Sequence, residues 1–182
     1  AAHIHSIGLG GDSRILLNVE DQIEIGPERV TPIATLAHQY PSVARDLQKL
    51  SFQGQRPFSM DKLEYWYLMR EPGRSLTNTR ARQVLDLLEN GPMALPDILL
   101  KMDLFHPLQF GGAALIREEI IGRAGLTPTD LLHVTGEFCP WDRESARLAA
   151  SLSARLYGVE LEEYITIIKT SISERISAEI IS

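Results

Sequence analysis

The chain has 182 residues, of which 44% are hydrophobic, so it is long enough to bury a core in one domain or two small ones. Its formal net charge of -6 disfavours general attraction to nucleic-acid phosphates or anionic lipid, and no stretch has the apolar length of a membrane span. We therefore expect neither a nucleic-acid partner nor a membrane partner.

The single cysteine, Cys139, has no partner for an internal disulfide, and no basic segment followed by an apolar run opens the chain. We expect a cytoplasmic protein in which Cys139 is buried beside Trp141. The strand pattern starts almost at the first residue and without an initiator Met, which is typical of a fragment of a larger protein.

Residues 3–7 predict a short strand, residues 8–13 form a glycine-rich loop, and residues 14–19 alternate as a second strand. A dinucleotide-binding loop would open a helix, whereas this pattern continues as sheet, so we predict a hairpin. Glycines without a Cβ would let the main chain approach a flat or anionic ligand and present N–H groups to it. The alternative is a tight turn that needs positive φ at two of the glycines.

Asp12 and Ser13 lie at the tip of this loop. A serine hydroxyl can donate to a phosphate oxygen, and an aspartate can hold a metal-bound water or a ribose hydroxyl. The alternative is an Asx or Ser turn that stabilises the hairpin without binding a ligand.

Residues 22–25 alternate again after a predicted turn at residues 20–21, so we expect a three-stranded meander. Its predicted buried side chains are Ile15, Leu17, Ile23 and Ile25. Short helices are predicted over residues 32–38 and 42–50, the second with Ser42 as N-cap, and a further strand over residues 63–69.

From residue 77 the hydrophobic period changes to that of a helix. The first predicted helix carries an apolar stripe of Ala81, Val84, Leu85 and Leu88. Further helices are predicted over residues 96–102, over residues 113–121 with Gly122 as the stop, from Thr127 as N-cap, over residues 142–157 with Gly158 as the stop, and over residues 160–180.

These patterns predict an α+β fold, with a strand-rich part over residues 1–73 and a mainly helical module over residues 74–182. The three helices in the middle of the chain also suggest a winged-helix-like packing. Acidic residues outnumber basic ones after residue 73, so DNA binding is disfavoured and a partner-binding role of the helices over residues 77–121 is favoured.

Several other residues could have a chemical role, but each of them also has a purely structural explanation. His3 and His5 face one side of a strand and could ligate a metal together, but they lack further ligands at a recognisable spacing, so we predict no metal site. Asp130 and His133 could form an acid–base pair on one helix face, but a capping Asp and a helix-end His are favoured. Residues 65–67 are interpreted as strand packing rather than a base-stacking platform.

Two ordered segments resemble the hydantoinase A and oxoprolinase family. Residues 6–13 with residues 25–30 are similar to a family segment in which Thr-Ile-Gly-Ala-Gly-Gly-Gly-Ser is followed by Val-Gly-Pro-Glu-Ser. Residues 125–136, followed by Trp141 and Asp142 and an Ala-rich helix, resemble the family's Leu-Thr-Pro-Thr-Asp-x-Leu-His stretch.

The resemblance implies an actin-like ATPase fold, of which residues 1–73 would be a lobe remnant, and the ATP-dependent hydrolysis of a cyclic amide such as a hydantoin or oxoproline. It implies ATP and Mg²⁺ as cofactors of the full-length parent, with a second hydantoinase-type subunit and the missing N-terminal part of the same protein as partners. It places five residues near the phosphates or the substrate: Gly8, Gly10, Gly11, Asp12 and Ser13. Asp12 stands where the family commonly has a third glycine.

Family members also use an earlier Asp-x-Gly-type phosphate loop, which this sequence lacks. We therefore predict a hydrolase fragment that is catalytically incomplete alone, and we assign it no catalytic residue. The alternative function is a noncatalytic interaction or regulatory module that uses the helices over residues 77–121.

Overall fold

A computed structural model of the chain describes residues 10–53 and 59–181. Its strands are β1 (Ser13–Leu17), β2 (Ile23–Arg29), β3 (Thr31–Pro32), β4 (Tyr65–Leu68), β5 (Met93–Ala94) and β6 (Ile121–Gly125). Its α-helices are α1 (Ile33–Gln39), α2 (Pro41–Phe52), α3 (Thr79–Leu88), α4 (Leu95–Met102), α5 (Gly112–Arg117), α6 (Pro128–Thr135), α7 (Arg143–Tyr157) and α8 (Leu161–Ile181). Short 3-10 helices span Met60–Leu63 and Pro107–Phe110.

The first two strands form an antiparallel hairpin whose tip is organised by Asn18. Its side-chain oxygen accepts hydrogen bonds from the main-chain N–H groups of Glu20 at 2.9 Å and Gln22 at 3.0 Å, as Asn commonly does in turns. The register pairs Ile15 with Ile25, and both side chains are buried. The predicted strand pair and its turn are confirmed. The remaining predicted strand of the meander, over residues 3–7, lies outside the described residues.

The other strands form one sheet in the order β3-β6-β4-β5, and its two faces pack on different hydrophobic clusters. Strand β6 pairs parallel with β3 and antiparallel with β4. On β4, Tyr65 belongs to one cluster and Trp66 to the other, and each is only 1% exposed. Successive side chains of a strand point to opposite faces. The predicted strand packing of residues 65–67 is therefore confirmed, and the sheet separates two cores.

The first cluster is built around α7, which packs against α1, α2, α6 and α8. Ala146, Ala149 and Ala150 are fully buried on α7, and such small side chains let neighbouring helix axes come close together. The hydroxyl groups of Ser153 and Tyr164 are hydrogen-bonded to each other within this core.

The second cluster lies on the opposite face of the sheet, among α3, α4, α5 and the 3-10 helix Pro107–Phe110. All four predicted stripe positions of α3 are buried. Trp66 and Phe110 meet edge to face with ring centroids 5.5 Å apart. A Cβ built on Gly112 would lie 2.7 Å from the Trp66 ring, so only glycine allows this contact.

The mixture of two small sheets with several helices confirms the predicted α+β fold class. Each hydrophobic cluster includes residues on both sides of position 73. The division of the chain into two domains at that position stays a prediction, as does the assignment of residues 1–73 to an actin-like lobe.

The helix predicted over residues 113–121 is wrong in its C-terminal half. Helix α5 ends where Glu119 takes a φ of 56°, and the Ile120 N–H donates to the Leu115 carbonyl at 3.0 Å, which is a Schellman-type ending. The next residues form β6 instead. Gly122, predicted to stop a helix, lies inside that strand, where a Cβ would be 2.4 Å from the Tyr67 ring.

Two further predictions need correction. Helix α2 begins with Pro41, so Ser42 lies in its first turn and Tyr40 is the N-cap, because proline fits the first helical position. Cys139 is exposed rather than buried. Trp141 packs instead against Phe138 and against His133, whose ring stacks on the indole with centroids 5.6 Å apart.

Candidate functional site

The glycine loop forms a tight turn over residues 10–13 that is closed by its own hydrogen bonds. The Ser13 N–H donates to the Gly10 carbonyl at 3.1 Å, and the Gly10 N–H donates to Ser13 Oγ at 3.0 Å. Ser13 is only 2% exposed. Its hydroxyl therefore holds the turn together, which is the role that the Ser-turn alternative describes.

Neither described glycine of this turn has a positive φ. Instead, the absence of a Cβ lets other groups of the chain approach both glycines closely. A Cβ built on Gly11 would lie 2.6 Å from Thr129 Oγ1, and one built on Gly10 would lie 2.6 Å from Asp12 Oδ1. The small size of these glycines thus accommodates groups of the chain itself.

Two main-chain N–H groups of the turn have no hydrogen-bond acceptor among the described residues. Within residues 10–53 and 59–181, the N–H groups of Gly11 and Asp12 form no hydrogen bond, and both residues are partly exposed. Asp12 Oδ1 also has no hydrogen-bond partner there, although Arg29 Nη1 lies 3.7 Å away. The turn therefore offers two N–H donors beside one carboxylate and one guanidinium.

The structure brings together the segments that carry the family resemblance. The Thr129 N–H donates to the Gly11 carbonyl at 2.9 Å, and the Val30 N–H donates to the Asp12 carbonyl at 2.9 Å. The Ile15 N–H donates to the Leu126 carbonyl at 2.8 Å. Segments far apart in sequence thus meet at the glycine turn.

Beside this turn, the buried carboxylate of Asp130 caps two helices. For α6 it completes a capping box, accepting from the Thr127 N–H at 2.9 Å and from Thr127 Oγ1 at 3.0 Å. For α1 it accepts from the N–H groups of Ile33 at 3.1 Å and Ala34 at 2.8 Å. Burial raises the pKa of Asp130 to about 6, and these hydrogen bonds oppose the rise.

His133 is buried and both of its ring nitrogens are used. Nδ1 lies 2.8 Å from the Thr129 carbonyl, and Nε2 accepts from the Trp141 N–H at 3.2 Å. Since that main-chain N–H must donate, Nδ1 carries the ring proton and the imidazole is neutral. The predicted capping position of Asp130 and the position of His133 in the last turn of α6 are confirmed.

Gly8, His3 and His5 lie outside the described residues, so their predicted roles stay untested. Within the part of the chain that the structure describes, no group of three or more His, Cys, Asp and Glu side chains could hold a metal ion. No described helix has both the length and the apolar character needed to cross a bilayer.

A cleft that the sequence analysis did not predict opens on the second-cluster face of the sheet. Its volume is about 650 Å³, within the range of ligand pockets. Leu95 and Leu99 of α4 and Ile116 of α5 line its apolar part, and Glu28 and Arg123 line its polar end.

Three side chains form a buried polar chain, in which Glu64 and Trp66 line the cleft and Arg14 lies behind them. Arg14 Nη2 lies 2.6 Å from Glu64 Oε1, and Trp66 Nε1 donates to Glu64 Oε2 at 2.6 Å. Arg14 and Glu64 are 10% and 7% exposed in their side chains. Buried ion pairs of this kind hold their partners in place, because separating them leaves an unpaired charge.

Glu28 connects this floor to the cleft mouth. Its Oε2 lies 3.2 Å from Arg14 Nη1, and its Oε1 lies 3.4 Å from Arg123 Nη1. In the sequence, the alternation of Glu64 and Trp66 is a strand signal, but nothing in it indicates that Arg14 would be their partner.

Among the described residues, the glycine turn and the cleft are the two features on which we base an assignment of function. No protein-family model matches the chain, and neither the curated proteins nor the solved structures include a significant match.

Proposed function

We propose that this chain is part of a hydantoinase- or oxoprolinase-like, ATP-dependent cyclic amide hydrolase, in which the turn over residues 10–13 contacts the nucleotide phosphates or the substrate. The observation that supports this role best is the pair of N–H groups on Gly11 and Asp12 that have no acceptor among the described residues. Adjacent unpaired N–H groups are suited to an anion.

The meeting of the resembling segments at this turn also supports the proposal. A resemblance confined to unrelated surface loops would have no structural reason to converge on one place. Here the segment around Thr129 and the segment around Val30 both donate to carbonyl groups of the turn. Those bonds fix the orientation of the turn, so the two N–H groups that have no acceptor among the described residues are held in place before a ligand binds.

The described residues fit the phosphate part of Mg-ATP better than the metal part. Two N–H donors suit phosphate oxygens, and Arg29 adds a positive charge 3.7 Å from Asp12. For Mg²⁺ the turn supplies one carboxylate, that of Asp12, which would hold a metal-bound water or a ribose hydroxyl. ATP would supply the energy to activate the amide oxygen, and this chain's residues would bind rather than cleave.

The remaining parts of the proposal follow the family resemblance. The catalytic phosphate loop would come from another part of the same protein, a second hydantoinase-type subunit would complete the enzyme, and the substrate would be a small cyclic amide. Cytoplasmic location stays a prediction.

The proposal is tested by titrating Mg-ATP into the full-length protein that contains this chain, with binding measured by calorimetry. We expect saturable binding, its loss in a Gly10→Val/Gly11→Val variant, and binding about tenfold weaker in Asp12→Asn, which corresponds to about 1.4 kcal/mol. Asp12→Asn removes no hydrogen bond among the described residues, so its fold is expected to be intact.

Glu20→Gln is the matched control, because it removes the same charge at the exposed far end of the hairpin. It should bind Mg-ATP as the unchanged protein does. Absence of binding in the unchanged protein, or equal affinity in all variants with native circular dichroism, would refute the proposed role of the turn.

A further inference from the structure

We infer that the cleft receives a peptide segment of a partner protein, which inserts an apolar side chain between one basic and one acidic residue. This interaction surface is separate from the glycine turn and does not depend on nucleotide binding. The inference stands on three observations: the apolar walls of the cleft, two charged side chains at its edge, and exposed apolar residues that extend the walls outward.

The walls suit an apolar anchor. Leu95, Leu99 and Ile116 face the cleft from two helices, while the ring of Trp66 forms part of its floor. Interfaces typically gain most of their binding energy from one or two large apolar side chains that fill such a pocket. The cleft therefore has a place for a phenylalanine or leucine of the partner.

The charged residues at the cleft complement a partner segment that carries both a positive and a negative charge. Glu28 and Glu64 pair with Arg14 behind the floor, and Arg123 pairs with Glu28. Asp61 and Arg117 also line the cleft and are exposed, yet neither forms an ion pair within the described residues. Asp61 can attract a lysine or arginine of the partner, and Arg117 an aspartate or glutamate.

The apolar surface continues beyond the cleft, which favours a peptide over a small molecule. Phe105 and Leu108 line the cleft and are 88% and 73% exposed. A small ligand within the cleft would leave most of these side chains in water, whereas a bound segment with neighbouring residues would cover them. Exposed apolar residues grouped around a pocket are typical of protein-binding surfaces.

The floor supplies a spectroscopic reporter. The chain has two tryptophans, and the indole N–H of Trp66 is bonded to Glu64 at the cleft floor. Trp141 packs on His133, on the side of the first cluster. In one ¹H–¹⁵N spectrum, a ligand of the cleft should shift the Trp66 indole signal and leave that of Trp141 unchanged.

The experiment titrates two blocked tetrapeptides, acetyl-Lys-Phe-Leu-Glu-amide and acetyl-Glu-Phe-Leu-Lys-amide, into the intact protein while the two indole signals are recorded. We expect a saturable shift of Trp66 alone, with one order of charges bound more tightly. Asp61→Arg/Arg117→Glu should reverse that preference, because it exchanges the two charges at the cleft edge.

Three surface variants test the apolar contacts. Phe105→Ser and Leu108→Ser should each weaken the preferred peptide about fivefold, which corresponds to about 1 kcal/mol. Leu100→Ser is the matched control, because Leu100 is 80% exposed on α4 but does not line the cleft, and it should bind as the unchanged protein does. All three residues are exposed, so folding should be retained.

The inference is overturned by any of three results. In the first, neither tetrapeptide produces a saturable shift of the Trp66 indole signal. In the second, acetyl-Lys-Ser-Ser-Glu-amide binds as tightly as the apolar peptides. In the third, free indole binds as tightly as the preferred peptide, and the charge exchange has no effect. The last result would identify an apolar small-molecule pocket instead. None of these outcomes bears on Mg-ATP binding, which is measured separately.

Discussion

The helix junction around Asp130 and the cleft floor around Glu64 each bury a carboxylate, but they stabilise it with different groups. Asp130 accepts hydrogen bonds from three main-chain N–H groups and one hydroxyl, all of them neutral. Glu64 accepts from an indole N–H and pairs with the guanidinium of Arg14. The junction therefore relies on dipoles, whereas the floor relies on an opposite charge.

This difference determines what each region loses when it is altered. Removing the Asp130 side chain leaves several buried donors without an acceptor and frees the starts of α1 and α6. Removing the Glu64 side chain leaves a buried cation whose one remaining carboxylate partner among the described residues is Glu28. A buried carboxylate without a cationic partner also binds a proton more readily, so pH should affect the junction.

The largest effect is expected for Asp130→Ala. Four buried donors would lose their acceptor, and the free energy of unfolding should fall by about 4 kcal/mol. Chemical denaturation of the intact chain measures this loss. Asp142→Ala is the control, since Asp142 begins α7 but accepts one side-chain hydrogen bond, from Ser145 at 2.6 Å. A loss for Asp142→Ala as large as that for Asp130→Ala would contradict the two-helix role.

A smaller loss of about 3 kcal/mol is expected for Glu64→Leu, because the charge of Arg14 would remain buried without its closest partner. The double variant Arg14→Met/Glu64→Leu should regain part of that stability, since it replaces the pair with apolar side chains. Denaturation midpoints of both single variants and the double variant measure the coupling. Strictly additive losses would show that the pair contributes no coupling energy.

The smallest effect is the pH dependence of the junction. The pKa of Asp130 is raised from 3.8 to about 6 by burial, so the folded state binds this proton more tightly than the unfolded state does. Stability should therefore increase by about 1 kcal/mol as the pH falls from about 7 to about 5. In Asp130→Asn this contribution should disappear. Identical pH profiles for the unchanged chain and Asp130→Asn would rule out the raised pKa.

Local signals in the sequence predicted most of the helices. The capping box of Thr127 and Asp130 and the Gly158 stop use contacts within a few residues, and the structure contains both. The helix over residues 113–121 was wrong because its continuation depended on partners elsewhere. Ile121 to Gly125 become a strand through pairing with β4 and β3, and local periodicity carries no information on that pairing.

For the candidate sites, too, the sequence predicted local features but not the contacts between distant segments. The sequence identified the glycine turn by its composition. The hydrogen bond from the Thr129 N–H to the Gly11 carbonyl, however, joins segments more than a hundred residues apart. The cleft was missed altogether, because Arg14 and Glu64 carry no motif and become partners only when the fold brings β1 close to the residue that precedes β4. The exposure of Cys139 was likewise not evident from the sequence, although the neighbouring Trp141 packs on His133.

The sequence by itself determined the α+β class, the helix that carries the stripe of Ala81 and Val84, and the capping box that starts α6. These features depend on hydrogen bonds and side-chain spacing within a turn or two of the chain. Only the tertiary structure decided that Asp130 also caps α1 and that a charged floor lies under an apolar cleft. Those contacts join distant segments, and their energies exist only after the sheet has brought the segments together.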